Sequence, residues 1–265
     1  MSRTVKSVFV SHGAPTLIDS QAPARRFLAS MAGELPKPKA ILVASAHWET
    51  AAPRVTAAER PETIHDFYGF PQRLYEISYP ARGDAGLAET VAEVLREAGF
   101  DAEIDGERGF DHGAWVPLKL AYPEADFPVL QLSLQTHLGP VHHLALGRAL
   151  ADLASDGMLV MGSGSATHNL SAFRGQAVDA EAPAWVTAFA DWLAERVEAG
   201  DWEALVHYRD RGPEAAPNHP TEEHYLPLLV ALGAAWETEE ETPSARLLHR
   251  SYTHGVLAMD AYGFA

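Results

Sequence analysis

The chain has 265 residues, a formal net charge of −16, 13 histidines and no cysteine. The acidic balance disfavours a nucleic-acid partner, and the missing cysteine excludes disulfides, thiolate zinc sites, iron–sulfur clusters and a cysteine nucleophile. Hydrophobic residues make up 47% and charged residues 21%, which supplies a core and argues against global disorder.

In chain order, "SVFV" (7–10) reads as a short buried strand, and "RRFLASMAGEL" (25–35) as a helix stopped before Pro36. "KAILVASAH" (39–47) is a continuous apolar run of the kind found in sheets covered on both faces. "ERPETIHDFYGFPQRLYEISYP" (59–80), rich in proline and aromatics, reads as an ordered excursion able to cover a pocket mouth. "GDAGLAETVAEVLREAGF" (83–100) is an amphipathic helix with Asp84 as N-cap and Gly99 as its stop. "DAEID" (101–105) is a short strand, followed by a loop, "GERGFDHGAW" (106–115). "FPVLQLSLQ" (127–135) is a strand, "HHLALGRALADLAS" (142–155) a helix, and "GMLVMGSGS" (157–165) a strand running into a glycine-rich loop. "EAPAWVTAFADWLAERVEAG" (181–200) is a helix, and "TEEHYLPLLVALGAA" (221–235) a helix with Thr221 as N-cap. "LLHRSYTHGVLAMDAYGF" (247–264) closes the chain with two strands. Strands alternating with helices predict an α/β architecture, a mostly parallel central sheet with helices on both faces. No apolar run approaches the roughly 20 residues of a membrane span. No basic region leads into a long apolar stretch, so a soluble, cytoplasmic protein with no membrane partner is expected.

Any metal site must draw on histidine, carboxylate or backbone oxygen. His12 follows "SVFV", His47 follows "ILVASA", His168 follows "MLVMGSGSAT", and His224 falls in the first turn of the last long helix. His112 sits in the loop "FDHGAW". One histidine after a strand is more often a turn residue than a ligand. Several at strand ends change that balance, because parallel strands deliver their carboxyl ends to one edge. A helix N-terminus disfavours imidazolium, and the neutral ring is the form that ligates. His142 and His143 read as surface residues, and His219 as a residue shaping the turn before Pro220. His137, His207, His249 and His254 share no context, and His65, in the aromatic excursion, could reach the site but reads more readily as a structural residue. There is no G-x-S-x-G elbow and no H-E-x-x-H. "GSGSAT" lacks the spacing of a phosphate loop, although exposed amides there could bind an anion. The residues alone indicate an α/β protein with a histidine-rich divalent metal site at the strand ends.

Six motifs in order extend this reading: "SHGAP", "SAHWE", "DFYGFP", "DHGAWVPL", "GSGSATHNL" and "HPTEEHYLPLLVALGA". Together, over nearly the whole chain, they resemble the DODA-type extradiol ring-cleavage dioxygenases, a branch of the class III extradiol family. The resemblance implies one catalytic domain over residues 1–265. It implies one divalent metal per chain, Fe(II) for activity or Zn(II) as a bound form, with O2 as co-substrate. The partner would be a small-molecule catechol such as DOPA, opened to a semialdehyde acid. Carried over by motif, His12 and His47 are metal ligands. The third ligand, counted back from "ALG", is His224, with Glu222 and Glu223 as alternatives. His168 matches the family's acid/base histidine, which also serves as an additional ligand in some zinc-loaded members. His112 matches a substrate-pocket histidine. Phe67, Tyr68, Phe70 and Trp115 are candidates for pocket lining or for core packing, and His65 stands where many relatives carry a bulkier aromatic. A ligand set of three histidines is neutral and admits zinc as readily as ferrous iron. Two other classes stay open at this point: a zinc-dependent hydrolase using metal-bound water, and a non-catalytic metal- or partner-binding relative.

Overall fold

A computed structural model describes residues 4–236, 238 and 242–265. Among the described residues ten strands form: β1 (Ser7–Ser11), β2 (Ala40–Glu49), β3 (Arg54–Thr56), β4 (Glu103–Asp105), β5 (Val129–Leu134), β6 (Met158–Gly164), β7 (Ala245–His249), β8 (Tyr252–Thr253), β9 (Leu257–Ala258) and β10 (Ala261–Phe264). Eight of them make one sheet in the order β4-β3-β5-β2-β6-β1-β10-β7, while β8 and β9 pair as a separate hairpin. The central strands β5, β2, β6 and β1 are parallel, and β10 and β7 close one side antiparallel. This is the α/β architecture the alternation predicts. The closing segment resolves into four short strands where the sequence suggests two.

The apolar runs of the central strands are continuous because both faces are covered. Val8, Val10, Ile41, Val43 and Met161 point to one side, where Leu28 and Met31 of helix α1 (Pro23–Met31) pack. Phe9 points the other way, toward Phe189 and Leu193. Leu42, Leu130 and Val160 face Val91 and Leu95 of helix α2 (Ala85–Glu97) and Val230. As expected, Asp84 caps α2, accepting from the Leu87 N–H at 2.9 Å, and Gly99 takes φ +90° beyond its end.

Several helices depart from the sequence reading, and two of these departures bear on function. Residues 112–121, read as part of a loop because Gly113 and Pro117 are breakers, form helix α3 (His112–Ala121). Asp111 caps it, accepting from the Ala114 N–H at 3.2 Å. Pro117 has no N–H to offer the carbonyl four residues back. That carbonyl, of Gly113, instead accepts the Ser163 hydroxyl at 2.5 Å. The helix over 142–155 divides into α4 (Gly139–Ala149) and α5 (Ala151–Ser155). Then come α6 (Ala184–Ala199), three short helices, α7 (Trp202–Val206), α8 (Tyr208–Arg211) and α9 (Ala215–Asn218), and finally α10. Helix α10 (Leu226–Ala234) starts later than expected, with a proline in its first turn. Proline suits that position because no intrahelical donor is needed there. Thr221 therefore caps nothing; its hydroxyl donates to Glu223, and His224 lies in the turn before the helix. No helix among the described residues is long and apolar enough to cross a membrane.

Candidate active site

The strand order β2-β6-β1 places the ends of three neighbouring parallel strands at one edge of the sheet. His12 follows β1, and Gly13 at φ +65° turns the chain away, a conformation open to glycine. His47 lies near the end of β2. The turn carrying His224 rests directly on β6. The Ser165 N–H donates to the His224 carbonyl at 2.9 Å, and a Cβ on Gly164 would stand 2.1 Å from that oxygen. The glycine-rich loop is thus an abutment for the His224 turn. Its amides are engaged, the Ala166 N–H by the Ser11 hydroxyl, so the structure does not support the anion-binding reading of "GSGSAT".

The three rings aim nitrogens at one point. Ligand atoms of His12, His47 and His224 lie within 4.8 Å of one another, and the His12 and His47 Nε2 atoms are 3.0 Å apart. Outer partners fix the protons. The Ser163 hydroxyl spends its hydrogen on the Gly113 carbonyl, so its oxygen accepts from Nδ1–H of His12 at 3.0 Å. Nε2 of His12 then carries a lone pair. His224 donates Nδ1–H to Oε1 of Glu223 at 3.0 Å. Its Nε2 is buried without a hydrogen-bond partner. Burial, more than any neighbour, drives the pKa of His12 and His224 well below the usual histidine range. Burial, then the charge of His112, brings His47 to about 4. Desolvation of the ring, rather than a helix N-terminus, is therefore what keeps His224 neutral.

A buried unpaired acceptor and two nitrogens 3.0 Å apart ask for a proton or a cation between them. Three neutral imidazoles, those of His12 and His224 with their tautomers fixed by outer partners, fit a divalent transition metal. The carboxylate missing from this set lies one bond further out. Glu223 takes the His224 proton, and Asp66 sits 3.6 Å from Nδ1 of His47. Carboxylates in that position orient ligating histidines and raise their basicity. Glu222 is turned elsewhere, to the Tyr208 hydroxyl and Arg209.

A buried carboxylate ties His47 to α3. Asp111 accepts from Ser45 Oγ at 2.7 Å, Gln131 Nε2 at 2.6 Å and Arg108 Nη2 at 3.1 Å. Ser45 Oγ in turn accepts the His47 N–H, and Arg108 donates to the His47 carbonyl, so both backbone groups of the residue are held. The same Asp111 starts the helix whose first residue is His112. That ring lies 3.9 Å from the His47 ring, and its Nδ1 is 2.9 Å from Oδ2 of Asp66, off the line of a straight hydrogen bond. Burial alone would raise the Asp66 carboxyl. The His112 ring and backbone N–H outweigh it and hold Asp66 at about 2.

These groups floor a cavity of about 580 Å³ walled by Phe67, Phe70, Leu170, Phe173, Val256 and Leu257. His168 lines it and stacks on His224, rings 3.4 Å apart and 10° from parallel. Burial brings His168 to about 4, so it meets a ligand as a neutral base. Its ligand atom groups with those of Glu223 and His224. From the aromatic excursion only Asp66, Phe67 and Phe70 reach the cavity. Trp115 is core, its Nε1 donating to the Ile64 carbonyl, and Tyr68 is exposed. His65 donates to the Ile77 carbonyl and packs beside Phe67, Tyr75 and Trp115, away from the cavity.

Three histidines differ from the sequence reading. His143, expected at the surface, is fully buried: Nδ1–H donates to the Gly139 carbonyl at 2.7 Å and Nε2 accepts the Gln135 N–H at 3.1 Å. His219 is also fully buried, with Nε2–H on the Ala166 carbonyl. His254, set aside for want of context, lines the cavity. Its signal in the sequence is "THG" between two short β-prone runs, a hairpin tip.

Comparison with known proteins agrees with this geometry. The family described as the catalytic LigB subunit of aromatic ring-opening dioxygenases matches residues 9–259. A protein of Beta vulgaris named 4,5-DOPA dioxygenase extradiol is 44% identical over 263 residues, covering 98% of this chain and 96% of its own. A protein of the same name from Escherichia coli K12 is 39% identical over 246 residues, covering 90% of this chain and 88% of its own. The crystal structure of an uncharacterized Escherichia coli K12 protein superposes with a TM-score of 0.80 at 31% identity, covering 98% of this chain and 99% of that one.

Proposed function

The chain belongs to the LigB family of aromatic ring-opening dioxygenases and is an extradiol ring-cleaving oxidoreductase, and from that premise we propose that it opens catechols of the DOPA type with ferrous iron held by His12, His47 and His224. The observation that carries this is the convergence of three ring nitrogens, one buried and unpartnered, at the floor of an apolar cavity. Residues 1–265 act as one catalytic domain in this reading.

A ferrous ion held by His12, His47 and His224 would supply Lewis-acid activation of the catechol hydroxyls and the redox chemistry toward O2. The chain's residues do the rest. Phe67 and Phe70 form the wall against which an aromatic ring packs and exclude water from it. His168, neutral and beside the ligand cluster, accepts the phenolic proton and returns it as the ring opens. His112, oriented by Asp66, presents its other ring nitrogen to a phenolic oxygen. Both atoms of O2 end in the product, a ring-opened semialdehyde acid, so no external reductant is needed. Zinc suits the same neutral ligands but has no redox chemistry, so a zinc-loaded form is inactive in this reading.

The test is direct. Apo-protein is loaded anaerobically with ferrous iron, mixed with DOPA, and exposed to oxygen. The expected result is uptake of one O2 per catechol and growth of the yellow semialdehyde. Absence of uptake across a broad catechol panel would falsify the proposal.

A further inference from the structure

Outside the metal floor, the cavity carries few polar side chains. Ser165 spends its hydroxyl on the Thr167 carbonyl at 2.7 Å. Thr16 offers a hydroxyl that can donate or accept. His254 is different, because its ring is held and its free nitrogen has a defined role. It sits at the tip of the β8–β9 hairpin at φ +55°, a left-handed conformation that disfavours residues with a Cβ. Its N–H donates to the Val178 carbonyl at 3.0 Å. Its ring stands edge-on to Phe173, centroids 5.1 Å apart. Its Nδ1 is 2.9 Å from the Gln176 carbonyl. A carbonyl only accepts, so the proton is on Nδ1 and Nε2 is left as an acceptor. That nitrogen makes no hydrogen bond among the described residues and is not sealed off from solvent. An unfavourable backbone state kept by an outside hydrogen bond is the kind of strain found at ligand clamps.

Building on the ring-cleavage reading above, we propose that His254 is a specificity-determining residue whose Nε2 accepts a hydrogen bond from the ammonium group on the substrate's side chain. With the two catechol oxygens at the histidine floor, the remaining substituent of the ring extends along the apolar wall formed by Phe173, Val256 and Leu257. His254 shares that wall. An acceptor there favours an amine-bearing tail over one that ends in a carboxylate alone, because a carboxylate has no hydrogen to give. The surplus of acidic residues in the chain, −16 overall, acts in the same direction on an approaching cation.

The test compares the iron-loaded enzyme with its His254→Gly variant, since glycine keeps the left-handed backbone without strain. Three catechols are used: DOPA, dopamine (amine only) and 3,4-dihydroxyphenylpropanoate (carboxylate only). Anaerobic calorimetry gives Kd and oxygen uptake gives kcat. The expected result is about a tenfold weaker Kd for DOPA and dopamine, the size of one hydrogen bond to a charged group. Kd for the propanoate and kcat for any catechol that is cleaved should stay within about twofold, which also reports an intact fold. Selective loss of propanoate binding overturns the proposal by showing a ring that donates to carboxylate. An equal loss for all three, or no change, overturns it as well. If the wild type binds these catechols but cleaves none, the ring-cleavage reading fails, while the Kd comparison still decides the role of His254.

Discussion

Two regions of this molecule bury histidines, and they use them in opposite ways. At the start of α4, His143 is fully buried and desolvation lowers its pKa to about 4. At the cavity floor, His224 is also buried, and desolvation drives its pKa well below the usual histidine range. By burial and basicity the two look alike. They differ in what each nitrogen meets. His143 gives one proton to a carbonyl and takes one from an amide, leaving nothing over. His224 gives its proton to Glu223 and keeps a buried, unpartnered lone pair that faces two other rings. A depressed pKa therefore marks a buried histidine, and so does a lone unpartnered nitrogen such as Nδ1 of His219; an unspent lone pair that meets other ring nitrogens marks a candidate ligand.

The largest effect expected from this contrast is on metal content. His12→Ala and His47→Ala should each reduce bound iron from about one ion per chain to nearly none, read by elemental analysis after anaerobic loading. Next is His168→Ala, which should keep most of the metal and lose turnover by roughly 10²–10⁴-fold, the usual contribution of a general acid/base. Metal lost in proportion to activity would instead make His168 a ligand.

The third prediction concerns acid stability at the structural site. The folded His143 ring binds a proton only near pH 4, whereas the unfolded ring does so near its ordinary 6.5. The unfolded state therefore holds more protons between those values. The contribution of His143 is complete above pH 6.5, falls as pH drops toward about 4, and then levels. Its full size is about 3 kcal/mol. His143→Gln should flatten that part of the stability profile in urea titrations from pH 7 to 4, while metal content at neutral pH stays unchanged. A profile as steep as that of the wild type would show that His143 does not titrate as its burial indicates.

The smallest expected effect is that of Glu223→Ala. Removing the partner of His224 should weaken iron affinity by roughly 10–100-fold without abolishing binding, as competition with a chelator would show. Complete loss there, with retention in His224→Ala, would reverse the roles of the two residues.

Much of this was legible in the sequence because the physics is local. The apolar runs before His12 and His47 mark buried strands, and parallel strands bring their ends to one edge. The Asp84 cap and the Gly99 stop define α2 by their own chemistry. Less local effects stayed hidden. Gly113 and Pro117 argue against helix α3, yet the carbonyl that Pro117 frees is taken by Ser163, which then sets the tautomer of His12. That relay joins three segments far apart in sequence. The burial of His143 and the role of Asp111 likewise depend on packing between distant elements. His254 was hidden because a hairpin tip carries no sign of which cavity it faces.

The most direct measurement sets the two regions against each other. His224→Ala and His143→Gln are purified alike, loaded with ferrous iron without oxygen, and assayed for metal per chain and for thermal midpoint. The expected result is that His224→Ala holds almost no iron and melts close to the metal-free wild type, while His143→Gln holds about one ion per chain and melts lower. A His224→Ala protein that still binds one ion per chain with undiminished affinity would contradict it.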